Sequence, residues 1–136
     1  MIVKLPIQGI DETEVYQPMP MRIELPCSAP LERGIVCGYS GGQAFPSGNS
    51  GAWLVSAEAS RETASGHVCQ FDLFGQICWG TVAEGESIEI GDPVFSDGDG
   101  KLKIDGTGIS GRALEATTES KRIIAFLTMW ENTQLL

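Results

Sequence analysis

The sequence predicts an all-β fold, mainly antiparallel, built as a small barrel or sandwich with an extended N-terminal arm. Short apolar runs recur at intervals of roughly 8–12 residues and are separated by turn residues, which is typical of antiparallel β proteins. The 136 residues include 17 glycines and 7 prolines, a content that favours many turns over long helices. Several runs also alternate polar and apolar side chains, as half-buried strands do. We therefore expect at most one or two short helices.

The beginning of the chain differs from the rest, and we interpret residues 1–33 as an extended arm and residues 34–136 as a single β domain. Proline fixes φ and lacks the backbone N–H, which disfavours a helix or a central strand. Only residues 21–25 of the arm are expected to form a short strand. An irregular edge packed on its own core explains the composition equally well. Five of the seven prolines lie in the arm: Pro6, Pro18, Pro20, Pro26 and Pro30.

Apolar side chains recur along the arm despite its prolines. An extended segment with apolar side chains needs a surface to lie on, because exposed apolar area is unfavourable in water. That surface is either the chain's own domain or a neighbouring subunit. The candidate contact residues are Leu5, Ile7, Val15, Tyr16, Met19, Met21, Ile23 and Leu25.

The first half of the domain contains four apolar runs that predict strands. The segment 40–51 is rich in Gly, Ser, Pro and Asn and is expected to be a loop. Alanine and glutamate at 57–66 allow one or two helical turns. The predicted strands are 34–39, 52–56, 67–74 and 76–82.

The second half of the domain begins with alternating residues at 86–90, which predict a half-buried strand. Asp97-Gly98-Asp99-Gly100 predicts a hairpin turn between strands, because Asp-Gly tolerates the positive φ of a tight turn. In the strand after this turn, Leu102 and Ile104 are expected to face inward. The other predicted strands are 94–96, 101–105 and 122–129, and 109–116 allows one helical turn. The sequence shows no internal repeat.

The composition excludes several classes of partner. The formal net charge is −9 at pH 7 and the pI is about 4.4. A surface of this charge repels phosphate backbones, so we expect no nucleic-acid partner. No apolar run resembles a signal peptide or reaches the ~20 residues of a membrane span. We therefore expect no membrane association and folding in a cytoplasm.

Four cysteines, Cys27, Cys37, Cys69 and Cys78, are present with a single histidine. No pair of them has the short spacing that zinc sites prefer. We interpret them as buried thiols that behave as small apolar side chains. A disulfide between Cys69 and Cys78 stays open as an alternative, because the sequence does not give the distance between their Cα atoms.

Two short motifs resemble chemical sites but lack residues that the chemistry requires. Gly48-Asn49-Ser50-Gly51 looks like a serine-nucleophile loop, yet the only histidine, His67, follows the serine instead of preceding it. The turn that begins at Asp97 resembles a calcium loop, but Lys101 and Gly108 occupy positions where an EF-hand needs oxygen ligands.

We therefore expect no catalytic residue, no cofactor and no metal ligand. A weaker calcium site, which the first turn residue would share with Asp92 or Asp105, stays open. Trp53, Trp79 and Trp130 are candidates for a sugar-binding platform, although tryptophans are more often core or interface anchors.

Five short elements follow one another in the second half of the chain. A Gly-x-Val-x-x-Gly strand at 80–85 leads to Gly-Asp-Pro-Val at 91–94, and Gly-Lys follows at 100–101. Ile-Ser-Gly-Arg-Ala-Leu-Glu at 109–115 precedes a final apolar strand at 123–127. In order and spacing these elements resemble the structural cement, or head decoration, proteins of tailed bacteriophages. The resemblance covers about a third of the chain.

The resemblance implies a β-tulip-like sandwich or related barrel that is structural and not an enzyme. Such a protein binds the outer surface of the expanded head and clamps neighbouring capsomers, which stabilises the shell against internal DNA pressure. The implied partners are the major capsid protein and the chain itself, as a homotrimer or a dimer. The implied location is the outer capsid surface of the virion, after synthesis in the host cytoplasm. The arm residues named above would then contact the capsid or another subunit, whereas 91–94 and 111–115 would hold the fold.

Two other functions remain open. The first is a carbohydrate-binding or adhesion module of a virion surface that uses Trp53, Trp79 and Tyr39. The second is a small hydrolase that uses Ser50 or a cysteine together with His67.

Overall fold

A computed structural model describes residues 21–48, 51–106 and 109–129, which form eleven strands and no helix. The all-β prediction is confirmed. Among the described residues, no helix is present that could cross a membrane. The strands are β1 (Arg22–Cys27), β2 (Val36–Ser40), β3 (Gln43–Pro46), β4 (Leu54–Ser56), β5 (Arg61–Thr63), β6 (Gly66–Leu73), β7 (Ile77–Thr81), β8 (Pro93–Ser96), β9 (Leu102–Lys103), β10 (Ile109–Ala113) and β11 (Ile123–Thr128).

The strands form two mostly antiparallel sheets. The order is β1-β3-β2-β4-β6-β5 in the first sheet and β7-β11-β10-β8-β9 in the second. The first sheet returns to its starting strand, because β1 pairs with β6 along its whole length as well as with β3. The ends of the second sheet meet where Val82, just after β7, pairs in parallel with Leu102 of β9. Each sheet therefore encloses its own set of side chains.

The two sheets repeat the same connectivity, although the sequence shows no internal repeat. Strands β1, β2, β3, β4 and β6 of the first sheet correspond to β7, β8, β9, β10 and β11 of the second. The register also agrees. Arg22 lies opposite Asp72, and Ile77 lies opposite Leu127, both 55 positions later. The repeat is therefore a property of the strand order and register, and residue identity does not reveal it.

We call residues 21–74 the first unit and residues 76–129 the second unit. Each unit has its own core, and the two cores use equivalent positions. Phe71 and Phe126, for example, are both fully buried at the same register position. Burying such a side chain stabilises the fold by about 1.5–3 kcal/mol. Members of the first core include Cys27, Leu31, Cys37, Ala44, Leu54, Cys69 and Phe71, and members of the second include Val82, Ile88, Val94, Leu102, Ile124 and Phe126.

The repeat extends to two loops that each place an aliphatic side chain in a core. The Leu31 N–H donates to Ser60 Oγ at 2.8 Å, and the Ile88 N–H donates to Thr117 Oγ1 at 3.0 Å. Leu31 and Ile88 are both buried. The segment 86–90 is therefore not the strand that its alternation predicts. Only the burial of its central isoleucine follows the pattern.

The first unit covers one end of the second unit's core. Val36 and Val55 lie opposite each other on the face of β2 and β4 that points away from the first core. Together with Phe74 they pack into the second core. The two backbones come close here, since the Val36 N–H donates to Gly100 O at 2.8 Å. A Cβ atom at Gly100 would collide with Val36 O, so this contact requires glycine.

Three segments differ from their prediction. The predicted loop 40–51 contains β3, the predicted helical turns at 57–66 are replaced by β5, and 109–116 begins with β10. In each case the segment pairs with an adjacent strand, namely β2, β6 and β8 respectively. Tertiary pairing therefore overrides the local composition, as is common for strands.

The predicted hairpin between β8 and β9 is confirmed. The Asp97 carboxylate accepts hydrogen bonds at 2.9 Å from the backbone N–H groups of Asp99 and Lys101, which fixes the turn. Leu102 is buried as predicted, but Ile104 is 45% exposed. The inward prediction for Ile104 is wrong because β9 ends at the residue before it, so the alternation no longer applies.

Part of the predicted arm belongs to the β domain. Strand β1 lies between β3 and β6 in the first sheet, so the chain is part of the domain from residue 22 onward. The short strand expected at 21–25 is confirmed. Residues 1–20 lie outside the described residues.

Replacing Gly100 with alanine tests the contact between the units. Gly100 and Gly41 both have positive φ, at +78° and +62°, but a Cβ at Gly41 would meet nothing within 4 Å. We expect Gly41→Ala to lower the free energy of unfolding by about 1 kcal/mol through backbone strain alone. Gly100→Ala should cost at least about 2 kcal/mol more, because it also separates the units. Urea unfolding of both variants measures the difference, and equal costs would show that the close approach is unimportant.

Candidate interaction surface

The described part of the predicted contact set lies at the beginning of the first unit. Met21, Ile23 and Leu25 are described, whereas Leu5, Ile7, Val15, Tyr16 and Met19 lie outside the described residues. Ile23, Leu25 and Cys27 alternate on the inner face of β1. Cys27 is buried in the first core and Leu25 packs against it, but Ile23 is 41% exposed. The inner face of β1 therefore runs from the core to an exposed rim.

Four apolar or aromatic residues share this rim. Met21 precedes β1, Ile23 lies in β1, Tyr39 lies near the end of β2, and Leu73 ends β6. Antiparallel pairing places the beginning of β1 beside the ends of β2 and β6, by way of β3. Met21 and Tyr39 are 49% and 38% exposed, and Leu73 is half-buried. We call Met21, Ile23, Tyr39 and Leu73 the open end of the first unit.

The equivalent end of the second unit is covered. By register, the counterparts of the open end are Gln76, Cys78, Ser96 and Thr128. All four are buried, although three of them are polar. Ser96 Oγ donates to Ser47 O of the first unit at 3.0 Å. The apolar end is therefore the exposed one, and the more polar end is the covered one, which is the reverse of what solvent alone would favour.

Gln76 fixes the point at which the chain enters the first unit. Its side-chain Oε1 accepts from the Met21 N–H at 3.0 Å, and its Nε2 donates to Met21 O at 2.7 Å and to Leu73 O at 2.9 Å. The amide thus pairs with the backbone of Met21 as a neighbouring strand would. Gln76 is buried, so these bonds are shielded from water.

The outer faces of the two units differ in polarity. In the first unit, outward residues of β1 and β6 include Arg22 and Asp72, joined by an ion pair with an N–O distance of 2.7 Å. Their counterparts in the second unit are Ile77 and Leu127, and Leu127 is 45% exposed. Half-buried Trp79 packs beside Ile77. Ile77 itself is buried beneath them, and we call Trp79 and Leu127 the apolar outer face of the second unit.

The structure describes two of the three tryptophans that are candidates for a sugar platform, and they pack in different places. Trp53 packs against both cores, and Trp79 belongs to the outer face of the second unit. Tyr39 lies on the open end, and Trp130 lies outside the described residues. The half-buried Trp53 is therefore an anchor between the units.

The four cysteines are free and buried. Cys27, Cys37 and Cys69 belong to the first core and Cys78 to the second, so the alternative of a Cys69–Cys78 disulfide is wrong. Burial raises the pKa of Cys37 and of Cys69 to about 12, and it raises the pKa of Cys27 and of Cys78 as well. Nearby thiols act in the same direction on the pKa of Cys37. These thiols are therefore protonated at neutral pH and poor nucleophiles.

Two of the three aspartates considered for calcium have structural hydrogen bonds. Asp97 holds the β8–β9 turn, and Asp92 Oδ2 accepts from the Glu89 N–H at 2.9 Å. Within the described ranges, no group of three or more His, Cys, Asp or Glu residues is placed to hold a metal ion. His67 lies in β6 opposite Cys27 and Glu62. Ser50, the other hydrolase candidate, lies outside the described residues.

The elements that resemble the cement family have structural roles here. Gly91 adopts a φ of +90°, which its turn requires. Ala113 is buried, and a Cβ at Gly111 would collide with Leu127 O across the β10–β11 pair. The buried Glu115 carboxylate accepts from the Ala125 N–H at 2.6 Å. These residues hold the fold, as expected.

Comparison with known proteins finds a shared fold. No family model matches the chain, and no curated protein matches it either. Its fold is similar to that of the N base of head fiber gp8.5 from bacteriophage phi29. The TM-score is 0.58 at 14% sequence identity, and the match covers 83% of this chain and 97% of that one.

Replacing Gln76 with alanine tests how the chain is fixed at Met21. We expect Gln76→Ala to lower the free energy of unfolding by about 2 kcal/mol, because buried backbone groups lose their partners. It should also speed hydrogen exchange of the Leu73 N–H, which donates to Met21 O. The exposed Gln43 is a matched control, and Gln43→Ala should cost less than about 0.5 kcal/mol. Similar effects for both variants would contradict this role.

The buried thiols predict a loss of stability in alkali. The unfolded thiols titrate near pH 8.5–9 and the folded ones near pH 12 for Cys37 and Cys69. The contribution of these protonated thiols to the free energy of unfolding is complete below about pH 9. It is lost as the pH rises toward the folded pKa, because between the two pKa values only the unfolded chain releases the thiol protons. Each of these two thiols should cost about 1.4–2 kcal/mol at pH 10, because one pKa unit corresponds to about 1.4 kcal/mol.

Urea unfolding under reducing conditions at pH 7, 9 and 10 measures this loss. Cys37→Val is the comparison, since valine occupies the equivalent position of the second unit, Val94. The variant should lose less stability than the unmodified chain over the same pH range. An identical loss in both proteins would rule out the Cys37 thiol as a cause.

Proposed function

We propose that this chain is a structural component of a tailed-bacteriophage virion. More specifically, we propose a capsid decoration protein that binds the outer surface of the expanded head and clamps neighbouring capsomers against internal DNA pressure. The observation that carries the proposal is the fold shared with the phi29 head fiber base over 83% of this chain. The resemblance of the second unit to cement proteins supports it independently.

The surface properties of the chain fit a scaffold that works by adhesion. The chain has a net charge of −9, which keeps free subunits soluble. The surface also contains two apolar areas, the open end of the first unit and the apolar outer face of the second. Apolar areas rimmed by polar surface are typical of contacts with other proteins. The proposed partners are the major capsid protein and further copies of the chain, without nucleic acid or membrane.

The proposed mechanism is attachment at several points. A homotrimer, or a dimer, presents identical contacts to a symmetric shell, so that weak single contacts combine into a long residence time. The predicted contact residues in 1–20, with the exposed Met21 and Ile23, would bind the capsid or a neighbouring subunit, whereas Leu25 packs against the first core. The chain would be made in the host cytoplasm, join the outer surface of the head and act without catalysis or cofactor.

Binding to heads tests the proposal directly. Purified chain is mixed with undecorated expanded heads of a phage that encodes it, and the mixture is separated on a density gradient. We expect the full chain to sediment with expanded heads and to raise the temperature at which they release DNA. Deletion of residues 1–20 should leave a folded domain that binds at least about tenfold more weakly, a loss of about 1.4 kcal/mol.

A chain in which residues 1–20 are replaced by a Gly/Ser segment of the same length is the matched control. It separates the loss of apolar contacts from the loss of chain length. No binding by the full chain would refute the decoration function. Full binding by the truncated chain would refute the contact role of the predicted arm residues alone.

A further inference from the structure

The open end of the first unit is an apolar surface in a place that the fold otherwise covers. Met21, Ile23 and Tyr39 are 49%, 41% and 38% exposed, and Leu73 is half-buried beside them. The repeat supplies an internal comparison, because the same end of the second unit is buried throughout. The second unit thus has an element that covers this end. The first unit presents more apolar side chains at the same position, which indicates that it is covered as well.

Part of the cover of the second unit comes from the chain that immediately precedes it. Phe74 lies three residues before β7 and is 3% exposed in the second core. Val36 and Val55 of the first unit complete the cover. The chain that precedes the first unit is the N-terminal segment, residues 1–20, and Met19 stands 55 positions before Phe74 in the sequence, the same separation as between Arg22 and Ile77.

A second copy of the chain cannot supply the cover in the same way. The counterparts of Val36 and Val55 on the second unit are Pro93 and Arg112. Arg112 is exposed and donates to Gly91 O at 3.1 Å. Stacking this face on the open end of another copy would remove a guanidinium from water without an acidic partner, which is unfavourable.

The N-terminal segment has the length, position and composition for the task. It joins the first unit at Met21, which is itself part of the open end and is held there by Gln76. Its apolar residues include Ile7, Ile10, Val15 and Met19. A segment tethered at the edge of the surface has an effective concentration in the millimolar range, so weak apolar contacts suffice.

We propose that the N-terminal segment binds the open end of the first unit of its own chain. Apolar side chains of residues 1–20 cover Ile23, Tyr39 and Leu73, as Phe74, Val36 and Val55 cover the second unit. The segment thereby completes the first unit. Any shell contact made there is a composite of the segment and the domain, and this arrangement exists before any head is bound.

Methyl NOE spectroscopy on the full chain in solution tests this proposal. We expect NOEs that join the methyl groups of Ile10 or Val15 to those of Ile23 and Leu73. Ile23→Glu should abolish the NOEs to the methyl groups of Leu73, which the variant retains. Ile104→Glu is the matched control, because Ile104 is exposed to a similar degree, 45% against 41%, on the other unit. It should leave the NOEs unchanged.

Several results would overturn the proposal. NOEs that are absent, or that join the segment to Ile104 instead, would place the segment elsewhere. In a mixture of isotope-labelled and unlabelled chains, NOEs that pass only between chains would assign the cover to a neighbouring copy. If these NOEs are absent in the free chain and the open end becomes protected from solvent only when the chain is bound to heads, the covering partner is the shell. Head binding does not enter the first measurement, so its outcome is independent of the proposed function.

Discussion

The structure depends on covering the ends of two small rings of strands. A sheet of five short strands encloses only a few side chains, and the ends of such a core are open to water unless another element lies over them. In the second unit the cover is the outward face of β2 and β4, where Val36 and Val55 pack with Phe74. The fit is close enough that Gly100 can carry no side chain beside Val36. The relative position of the units is thus fixed by packing and by backbone contact together.

The repeat shows which features the fold requires and which are free to vary. Both units share the same strand register and a buried phenylalanine, Phe71 or Phe126. In both, the backbone N–H of a buried aliphatic residue, Leu31 or Ile88, donates to a side-chain hydroxyl. The outward side chains are not common to both units, since the Arg22–Asp72 ion pair of the first corresponds to Ile77 and Leu127 in the second. Of these residues Arg22 and Leu127 are exposed, and exposed residues contribute little to stability, so they can differ without loss of the fold. The fold therefore does not require an exposed leucine at position 127, which makes Leu127 a candidate for contact with another molecule.

The sequence predicts the fold class and most strands, because alternation and turn residues act locally. The Asp97 turn and the burial of Leu102 follow from such rules. The repeat could not be found in this way, because equivalent positions share a register but seldom a residue type, as with Leu54 and Gly111. Strand β3 was missed for a related reason. Its residues look like a loop, and only pairing with β2 and β1 makes them a strand.

The candidate surface is harder to predict than the fold, because exposure depends on a neighbour. Ile23 and Leu73 alternate as core residues do, and nothing in a strand pattern distinguishes a core side chain from one at an open end. The sequence marks Tyr39 only as a candidate sugar contact, and it does not distinguish Leu73 from a core residue. Comparison of the two units supplies the missing information, since Cys78 and Thr128 are buried at the same positions. An apolar end exposed in one unit and covered in the other indicates a binding position more strongly than hydrophobicity alone, because isolated exposed apolar residues are common on all proteins.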